Sequence, residues 1–442
     1  MEWAKLNVFQ RLVRQWDALH PYNAAQVMHL AGSATDAARF DGAWRETLDD
    51  LGLGKLQTLG DRYRFELLNG DVTLGRVTRV CGRTRALDEF ISDELNRRFE
   101  PGGSPLRPFI LRSADDHTFF AGVIYHHWVA DSASIRLLLR EWFYRAYDPS
   151  RARRAPLRIA PSGYWPAFGP GRRGWRLDDG VLTSLRWSSR MKRARRIESS
   201  GFDDYRTHFT THRLPVGIVE PLRRASRAMG VTLNDVFLAA VAQVCDANPC
   251  IRRTPRRQDL ALGTIVDLRA RAPRSTNGAN DLDDVFGLFL GFTSVTCRPR
   301  DLQEWDRLVH SVAAQGRAHK RAGAPEASMI RMLAGLVAHR MLGPQKIKQF
   351  YRKRLPLAGG VSNVNLNGSW AQQYHPAPLL DYVRVSPSGP MMPLVFTPTT
   401  LGARLNFGLT CRTSVVSPHR AAEMSEMFIN RLLRVARTRA GV

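Results

Sequence analysis

The chain has 442 residues, 44% of them hydrophobic, which excludes a disordered chain and allows two ordinary domains with separate cores. Its 65 lysines and arginines outnumber 40 acidic residues, and the formal net charge of +25 indicates an anionic partner. Charged residues interrupt the N-terminal segment and no stretch approaches 18 apolar residues, so we expect neither a signal peptide nor a membrane span.

The first clear elements are a strand and the helix that follows it. The apolar, aromatic run 119–125 (FFAGVIY) is typical of a buried strand, and His126 and His127 stand at its end. Asp131 or Ser132 then caps a helix. Its buried face is predicted by the i, i+3, i+4 spacing of Ile135, Leu138, Leu139, Trp142, Phe143 and Ala146.

The two histidines at this strand-to-helix junction are candidates for general-base chemistry. The positive end of the helix dipole disfavours an imidazolium ion and keeps a neutral imidazole available as a base. Adjacent histidines also occur as zinc ligands or as polar residues at a strand end. A zinc site requires a third ligand, and the five cysteines include no C-x-x-C pair, so we expect no metal site.

The composition changes between residues 150 and 200, where proline, glycine, serine and arginine dominate. This change predicts an N-terminal lobe at 1–165, a basic linker at 166–200 and a C-terminal lobe at 201–442. Within the linker, Val181, Leu182, Leu185, Trp187 and Met191 alternate with basic residues. Such a segment either lies on a lipid surface or packs on its own protein.

The second half again mixes helices with strands. Thr232 and Asp235 form a capping-box pattern before a buried helix, and residues 262–266 predict a strand that leads into Asp267-Leu268-Arg269. Two further strands meet around Leu401-Gly402, and Ser417 caps a final helix. Intermixed strands and helices in both halves indicate an α/β or α+β class.

The order of these motifs resembles the HHxxxDG acyltransferase superfamily. That superfamily includes nonribosomal peptide condensation domains, wax ester synthases and chloramphenicol acetyltransferase, and the resemblance is to a stand-alone bacterial member. The residues that carry the resemblance, in chain order, are Pro105-Leu106-Arg107, His126-His127, Asp131, Gly230 to Asp235, Asp267-Leu268-Arg269, Phe286 to Gly291 and Val361 to Val364.

The resemblance implies two chloramphenicol-acetyltransferase-like lobes, each a mixed sheet with helices, arranged as a V around a tunnel. His127 would be the catalytic base, while His126 and Asp131 would hold the loop in shape. In such enzymes the aspartate pairs with an arginine that this sequence does not identify. The chain departs from the motif at Ser132, where the superfamily has glycine, which leaves open a narrower tunnel or a non-catalytic relative.

The chemistry expected of such a site is acyl transfer from a thioester to a hydroxyl or amine, with ester formation slightly favoured. A base with a pKa near ambient pH would remove the proton of the acceptor. The oxyanion candidates are backbone amides near Asp131 and Ser132 and the side chains of Asn234 and Ser362. Ser132, Asn234, Ser362 and Asn363 are the predicted substrate-binding residues.

Several of these residues also have simpler interpretations. Asn234 is equally well explained as a helix-start residue, and Ser362-Asn363 as a turn. Asp267 and Arg269 are predicted to be structural, as members of a buried or interlobe ion pair.

Basic residues form several clusters along the chain, among them residues 186–196 and 252–257, and these arginine clusters suggest partners. Acyl-CoA or an acidic acyl- or peptidyl-carrier protein acting in trans would be the donor, as a substrate rather than a cofactor, and no cofactor is expected. The acceptor would be a small molecule or a lipid. Peripheral membrane contact stays open, nucleic acid is the weakest option, and solvated arginine faces explain each cluster equally well. The alternative function is a degenerate docking protein. Unpaired cysteines favour a cytoplasmic location.

Overall fold

The computed structural model describes most of the chain. The described residues are 3–68, 79–81, 84–113, 117–159, 168, 177–199, 201, 204–272, 282, 284–354, 356–368, 370 and 379–438.

The elements up to residue 168 alternate between strands and helices. In chain order they are β1 (Ala4–Lys5), α1 (Val8–Leu19), β2 (Asn23–Ala31), α2 (Ala34–Leu51), β3 (Lys55–Leu59), β4 (Arg62–Glu66), β5 (Arg79–Cys81), α3 (Thr84–Asn96), β6 (Leu106–Ser113), β7 (Thr118–His126), α4 (Ser132–Tyr147), a 3-10 turn (Pro149–Arg151) and β8 (Arg158–Ile159).

The later elements contain the longer helices. They are α5 (Leu177–Arg193), β9 (Arg196–Ile197), β10 (Thr207–Arg213), α6 (Val219–Ala228), α7 (Leu233–Asp246), β11 (Ile251–Arg252), β12 (Leu260–Asp267), a 3-10 turn (Arg269–Arg271), β13 (Val285–Phe286), β14 (Leu290–Cys297), α8 (Pro299–Leu302), α9 (Trp305–Arg321), α10 (Ala324–Met341), α11 (Pro344–Arg354), β15 (Gly359–Val361), β16 (Val364–Asn365), β17 (Leu379–Val385), β18 (Leu394–Leu401), β19 (Arg404–Arg412) and α12 (Pro418–Thr438).

Unit 1 is formed by Met1–Phe168, Asp267–Leu290 and Tyr374–Arg384. Its main sheet has the order β17-β2-β7-β6-β5, in which β2, β7 and β6 are antiparallel and β5 is parallel to β6. Helices α2 and α4 pack against each other, and the Trp142 indole donates a hydrogen bond to the Phe40 carbonyl at 2.7 Å. Aromatic side chains therefore fill the core beneath the strand that ends at His126.

Unit 2 is formed by Gly169–Val266, Gly291–Gln373 and Val385–Val442. Its seven-stranded mixed sheet has the order β10-β19-β18-β15-β12-β14, with β16 also paired to β18. Helix α7 lies at the centre of the core, in contact with α6, α9, α12 and β15. This contact on all sides explains why α7 is buried around nearly its whole circumference rather than along one stripe.

The two units differ from the predicted domains in their connectivity. The composition-based boundary divides the chain once, whereas residues 267–290 and 374–384 return to unit 1 after the chain has entered unit 2. Within the predicted linker at 166–200, residues 166, 167, 169–176 and 200 lie outside the described part, and Leu177–Arg193 is a helix. The sequence predicted a linker there because the many arginines of this segment obscure the helical spacing of its apolar residues.

The predicted local signals are confirmed at several element ends. Thr232 and Asp235 form a capping box at the start of α7, and the Ser417 hydroxyl accepts from the Arg420 amide as α12 begins at Pro418. Gly402 adopts a φ of 60° in the turn between β18 and β19, a conformation that glycine enters without strain. These three signals therefore mark real element boundaries.

Within the described residues, no single helix is long and apolar enough to cross a membrane. Helices α6 and α7 meet the length and composition requirement only as a pair, with a bend of 94° between them.

Candidate functional site

The strand β7 ends in the two histidines. It pairs with β2 from Thr118 opposite Ala31 to His126 opposite Asn23. The His126 amide donates to the Pro105 carbonyl at 3.0 Å, and the His127 amide donates to the Tyr22 carbonyl at 3.3 Å. Both histidine backbones are therefore held by neighbouring segments of unit 1.

His127 is oriented by its own loop. Its Nδ1 lies 3.1 Å from the Ala130 carbonyl oxygen. Because a carbonyl only accepts, Nδ1 carries the proton and Nε2 keeps its lone pair. The ring stacks on Tyr22 at a centroid distance of 5.8 Å and meets Tyr125 edge-on. Burial lowers the pKa of His127 to about 4, below the near-neutral value expected from the sequence, so the imidazole is neutral at pH 7.

His126 is fixed as a hydrogen-bond acceptor. Its Nε2 accepts from the Trp128 indole at 3.1 Å, and its ring stacks on Phe99 at 5.1 Å. Burial, followed by the charge of Arg107, lowers the pKa of His126 to about 3. Since the indole occupies Nε2 and the ring stays neutral, His126 is suited to shaping the loop rather than to moving protons.

Asp131 caps α4 and forms a buried ion pair with Arg269. Its Oδ1 accepts from the Ser134 amide at 2.9 Å and its Oδ2 from the Phe289 amide at 2.9 Å. Arg269 Nε lies 3.0 Å from Asp131 Oδ2 and Nη2 lies 3.2 Å from Oδ1. Burial opposes ionisation, but the Arg269 guanidinium and these amides hold the pKa of Asp131 below its ordinary value. Arg269 is thus the partner that the sequence left unidentified.

The same arginine ties a second segment to the start of α4. Its Nη1 donates to the Leu282 carbonyl at 2.6 Å and to the Val285 carbonyl at 2.8 Å. The Asp131 amide donates to the Gly287 carbonyl at 2.9 Å, so it has no proton left for an oxyanion. The Asp131 amide is therefore excluded as a hydrogen-bond donor to the oxyanion.

Ser132 lies at the first position of α4 in a polar network that the sequence analysis missed. Its hydroxyl accepts from Gln26 Nε2, Arg136 Nη1 and Arg384 Nε, each at 3.0 Å. The i, i+4 spacing of Ser132 and Arg136 was a visible signal. Arg384 and Gln26 had none, because only the pairing of β17 with β2 brings residues so distant in sequence together.

The remaining predicted residues lie on both units. Asp267 ends β12, and its Oδ1 accepts from the Arg269 amide at 2.9 Å. Burial, followed by the Asp131 charge, raises the pKa of Asp267, although much of its side-chain surface stays accessible. The ion pair of Arg269 is therefore with Asp131.

Asn234, Ser362 and Asn363 belong to unit 2. Asn234 is partly buried in the first turn of α7. Ser362 and Asn363 continue an extended path rather than a turn, since Val361 pairs with Phe396 and Val364 with Thr399 without any change of register. The turn interpretation of these two residues is wrong.

The described residues contain no group of three histidine, cysteine or carboxylate side chains placed to hold a metal ion.

Comparisons with known proteins define the fold. No protein-family model matches the chain, and no curated protein matches it. Among solved structures, a trichothecene 15-O-acetyltransferase from Fusarium sporotrichioides aligns with a TM-score of 0.70 and 10% identity over 98% of this chain and 95% of that one. The first condensation domain of the calcium-dependent antibiotic synthetase, in complex with a substrate analogue, aligns with a TM-score of 0.68 and 15% identity over 100% and 98%.

A third alignment is with the complex of the X-domain and OxyB from teicoplanin biosynthesis, at a TM-score of 0.56 and 16% identity over 98% and 94% of the two chains. The protein has the condensation-domain fold. The resemblance predicted from the motifs is confirmed as a likeness of fold, and so is the α/β class with two lobes that each contain a mixed sheet and helices. The arrangement of the lobes as a V around a tunnel stays a prediction.

Proposed function

We propose that the protein is an acyltransferase that moves an acyl group from a thioester to a hydroxyl or amine, with His127 as general base. The observation that carries the proposal is the orientation of His127 by the Ala130 carbonyl, which leaves Nε2 as a lone-pair acceptor on a neutral ring. The condensation-domain fold, shared with an O-acetyltransferase, supports the same class of reaction.

The reaction is direct. As His127 Nε2 takes the acceptor proton, the acceptor oxygen or nitrogen bonds to the thioester carbonyl and the thiolate leaves. The thiolate is then protonated by the imidazolium, so that acid and base return to their starting states. Ester formation is slightly favoured because one protein of the same fold is an O-acetyltransferase. Asp131 and His126 hold the loop, and Asn234, Ser362 and Asn363 are proposed to contact substrate.

The first experiment measures release of free thiol from a panel of acyl-CoA and acyl-carrier thioesters, with mass spectrometry of an acceptor mixture. We expect His127→Ala to lower turnover by a factor of about a hundred to ten thousand. His419→Ala, which replaces an exposed histidine of unit 2, is the matched control and should keep full activity. Full activity in the His127 variant would sink the general-base mechanism.

The donor is proposed to be coenzyme A or an acidic carrier protein acting in trans. A concave surface of unit 2 is lined by Arg196, Arg352 and Lys353 together with Glu198 and Gln349, and such a basic surface suits a phosphate or an acidic helix. We expect binding of an acidic carrier protein to weaken steeply when the salt concentration rises from about 50 to about 500 mM, because the Debye length shortens roughly threefold over this range. A salt-independent affinity would contradict electrostatic docking.

The alternative function is a docking protein that has kept the fold without the chemistry. It is favoured by the X-domain, a related fold solved in complex with another protein. The thiol-release experiment separates the two functions, since a docking protein releases no thiol and loses no binding when His127 is replaced.

We propose that unit 2 also contacts an anionic lipid surface, through an apolar patch on α5 and α10. The two helices pack against each other. The patch consists of seven exposed side chains, all but Leu182 spaced four residues apart along their helix: Leu177, Val181, Leu182, Leu185, Leu333, Val337 and Met341. Basic residues Arg190, Lys192 and Arg193 end α5, which gives the apolar surface the charge that binds anionic headgroups.

Sedimentation with vesicles tests this contact. We expect the protein to bind phosphatidylglycerol-containing vesicles and not phosphatidylcholine vesicles, and Leu185→Glu or Val337→Glu to reduce binding. Leu59→Glu is the control, because Leu59 is as exposed as Leu185 but lies in β3 of unit 1. If both patch variants bind like the wild type, or if they instead dissociate a homodimer in solution, lipid is not the occupant.

A further inference from the structure

The Ser132 hydroxyl receives more hydrogen-bond donors than it can fully accept. Gln26 Nε2, Arg136 Nη1 and Arg384 Nε all lie 3.0 Å from Ser132 Oγ. A hydroxyl oxygen has two lone pairs, so three donors exceed its capacity. The serine therefore stands at the focus of donors that could satisfy a larger anionic acceptor.

Two of these donors are guanidinium groups of like charge. Since each nitrogen lies 3.0 Å from the same oxygen, the two nitrogens are at most twice that distance apart. Arg384 is only 3% exposed, whereas Arg136 is partly exposed. Burial, and after it the charge of Arg136, lowers the pKa of Arg384 to about 10. A negative charge placed at Ser132 would relieve both effects.

Two acidic groups near Ser132 in the described part of the chain already have partners. Asp131 is matched by its bidentate ion pair with Arg269. Asp267 accepts from the Arg269 amide, and burial and the Asp131 charge raise the pKa of Asp267. A carboxylate bound at Ser132 would place a negative charge between the two guanidinium groups that converge on the hydroxyl.

The cluster is held by buried polar groups next to the proposed base. The Tyr382 hydroxyl donates to Gln26 Oε1, and Gln26 Nε2 donates to both the carbonyl and the hydroxyl of Ser132. Tyr382 and Gln26 are 0% and 1% exposed. His127 and Ser132 lie at the two ends of the short segment that joins β7 to α4. An anion bound at Ser132 would therefore lie on the segment that carries the proposed base.

We propose that Arg136, Arg384 and the Ser132 hydroxyl form a subsite for a carboxylate carried by one of the two substrates. A carboxylate offers about four lone-pair positions and suits the planar donor geometry of guanidinium groups. This inference rests on the proposed acyl transfer and names its substrate class: either the acceptor is a hydroxy or amino acid, or the acyl group ends in a carboxylate. The serine that replaces the motif glycine is then an anchor of the subsite.

Binding experiments on the full chain test the subsite without any turnover. The probes are 3-hydroxybutyrate and L-serine, their methyl esters, and succinyl-CoA with butyryl-CoA, titrated calorimetrically into the His127→Ala variant. We expect one acid of a pair to bind at least about tenfold more tightly than its neutral counterpart, as for a charge-assisted hydrogen bond. Preference within the first two pairs assigns the carboxylate to the acceptor, and preference for succinyl-CoA assigns it to the acyl group.

Variants of the subsite should remove that preference. Arg136→Gln is the main variant because Arg136 is partly exposed on α4, and Ser132→Gly, which restores the motif residue, is a milder one. Arg140→Gln, one turn further along α4 and 31% exposed, is the matched control and should keep the preference. Equal binding of acids and neutral counterparts, or a preference that survives both subsite variants, would overturn the proposal.

Failure of the carboxylate subsite can be distinguished from failure of the proposed acyltransferase function. Acid-selective binding without thiol release from any donor would support the subsite and contradict the acyltransferase. Thiol release that depends on His127 but shows no selectivity for an acid would support the acyltransferase and overturn the subsite.

Discussion

At the scale of single residues, the site separates into the proposed base and the groups that hold it. His127 is oriented through Nδ1, and His126 is occupied by the Trp128 indole. Asp131 does not contact His127 through a hydrogen bond; it joins α4 to Arg269 and to the Phe289 amide. Substitution of the base should therefore affect turnover, and substitution of its supports should affect stability.

The low pKa of His127 predicts the pH dependence of activity. Burial lowers the pKa of His127 to about 4, so its base form persists well below the ordinary histidine value of 6.5. We expect the acidic limb of kcat/KM for acyl transfer to fall near pH 4, measured by thiol release from an unbranched acyl donor. An acidic limb near pH 6.5 would contradict the burial of His127 in the free enzyme.

The buried ion pair predicts a large loss of stability when one partner is removed. We expect Arg269→Met to lower the free energy of unfolding by about 3–5 kcal/mol, because Asp131, 1% exposed, would be left as an uncompensated charge. Urea denaturation measures the change. The exposed pair of Arg227 and Glu220 is the control, since Arg227→Met should cost less than about 1 kcal/mol.

A double variant tests whether the loss of stability is caused by the unpaired charge of Asp131. Asp131→Asn combined with Arg269→Met should be more stable than Arg269→Met alone, because the amide keeps the cap to Ser134 without a buried charge. If the double variant is the less stable of the two, the arginine acts mainly through its bonds to the Leu282 and Val285 carbonyls.

At the scale of elements, the placement of the histidines depends on close packing of β7. Gly122 of β7 lies between β2 and β6, opposite Val27 and Phe109. A Cβ at this position would meet the Phe109 ring at 2.5 Å and the Gln26 carbonyl oxygen at 2.9 Å. The sheet that carries His126, His127 and Gln26 therefore has no room for a side chain here.

Gly122→Ala should destabilise the protein by roughly 1–3 kcal/mol through overpacking. Phe109→Leu in the same chain should recover part of the loss by removing the ring atoms. Gly42→Ala is the matched control, because Gly42 is an exposed position within α2 where a Cβ meets nothing within 4 Å. There alanine should be neutral or stabilising by up to about 1 kcal/mol. Equal effects at the two glycines, compared by thermal unfolding, would contradict the packing argument.

At the scale of the whole molecule, several buried histidines share one electrostatic property. Burial lowers the pKa of His126 to about 3 and of His127, His212, His319 and His339 to about 4. Because the unfolded chain binds protons at histidine near pH 6.5 and the folded chain does not, protonation favours unfolding as the pH falls. The raised pKa of Asp17 and Asp267 acts in the opposite direction but involves fewer groups.

We therefore expect stability to be fully present above pH 6.5 and to fall steadily as the pH is lowered to about 4. Urea midpoints at pH 7.5, 6.5, 5.5 and 4.5 measure the trend. His319→Asn should reduce the slope in this window, since it removes one of the titrating groups of unit 2. A midpoint that is constant from pH 7.5 to 4.5 would contradict the burial of these histidines.

Local patterns in the sequence determined the helices and strands and the loop from His126 to Asp131. Capping by Thr232 and Ser417, the strand before His126 and the helix after Asp131 depend on neighbours within a few residues, so their physical causes are visible in the chain itself. The fold class followed from the order of these elements, and His127 could be proposed as the base because it shares one short loop with Asp131.

Tertiary structure alone decided which distant groups meet that loop. Arg269 pairs with Asp131 across 138 positions, and Arg384 reaches Ser132 across 252, because chain segments from the second half return to the sheet and helices of unit 1. Such contacts depend on strand order and on the hydrogen bonds of buried backbone, which no local pattern encodes. For the same reason, the return of residues 267–290 and 374–384 to unit 1 could be found only in the folded protein. The same holds for the carboxylate subsite proposed at Ser132.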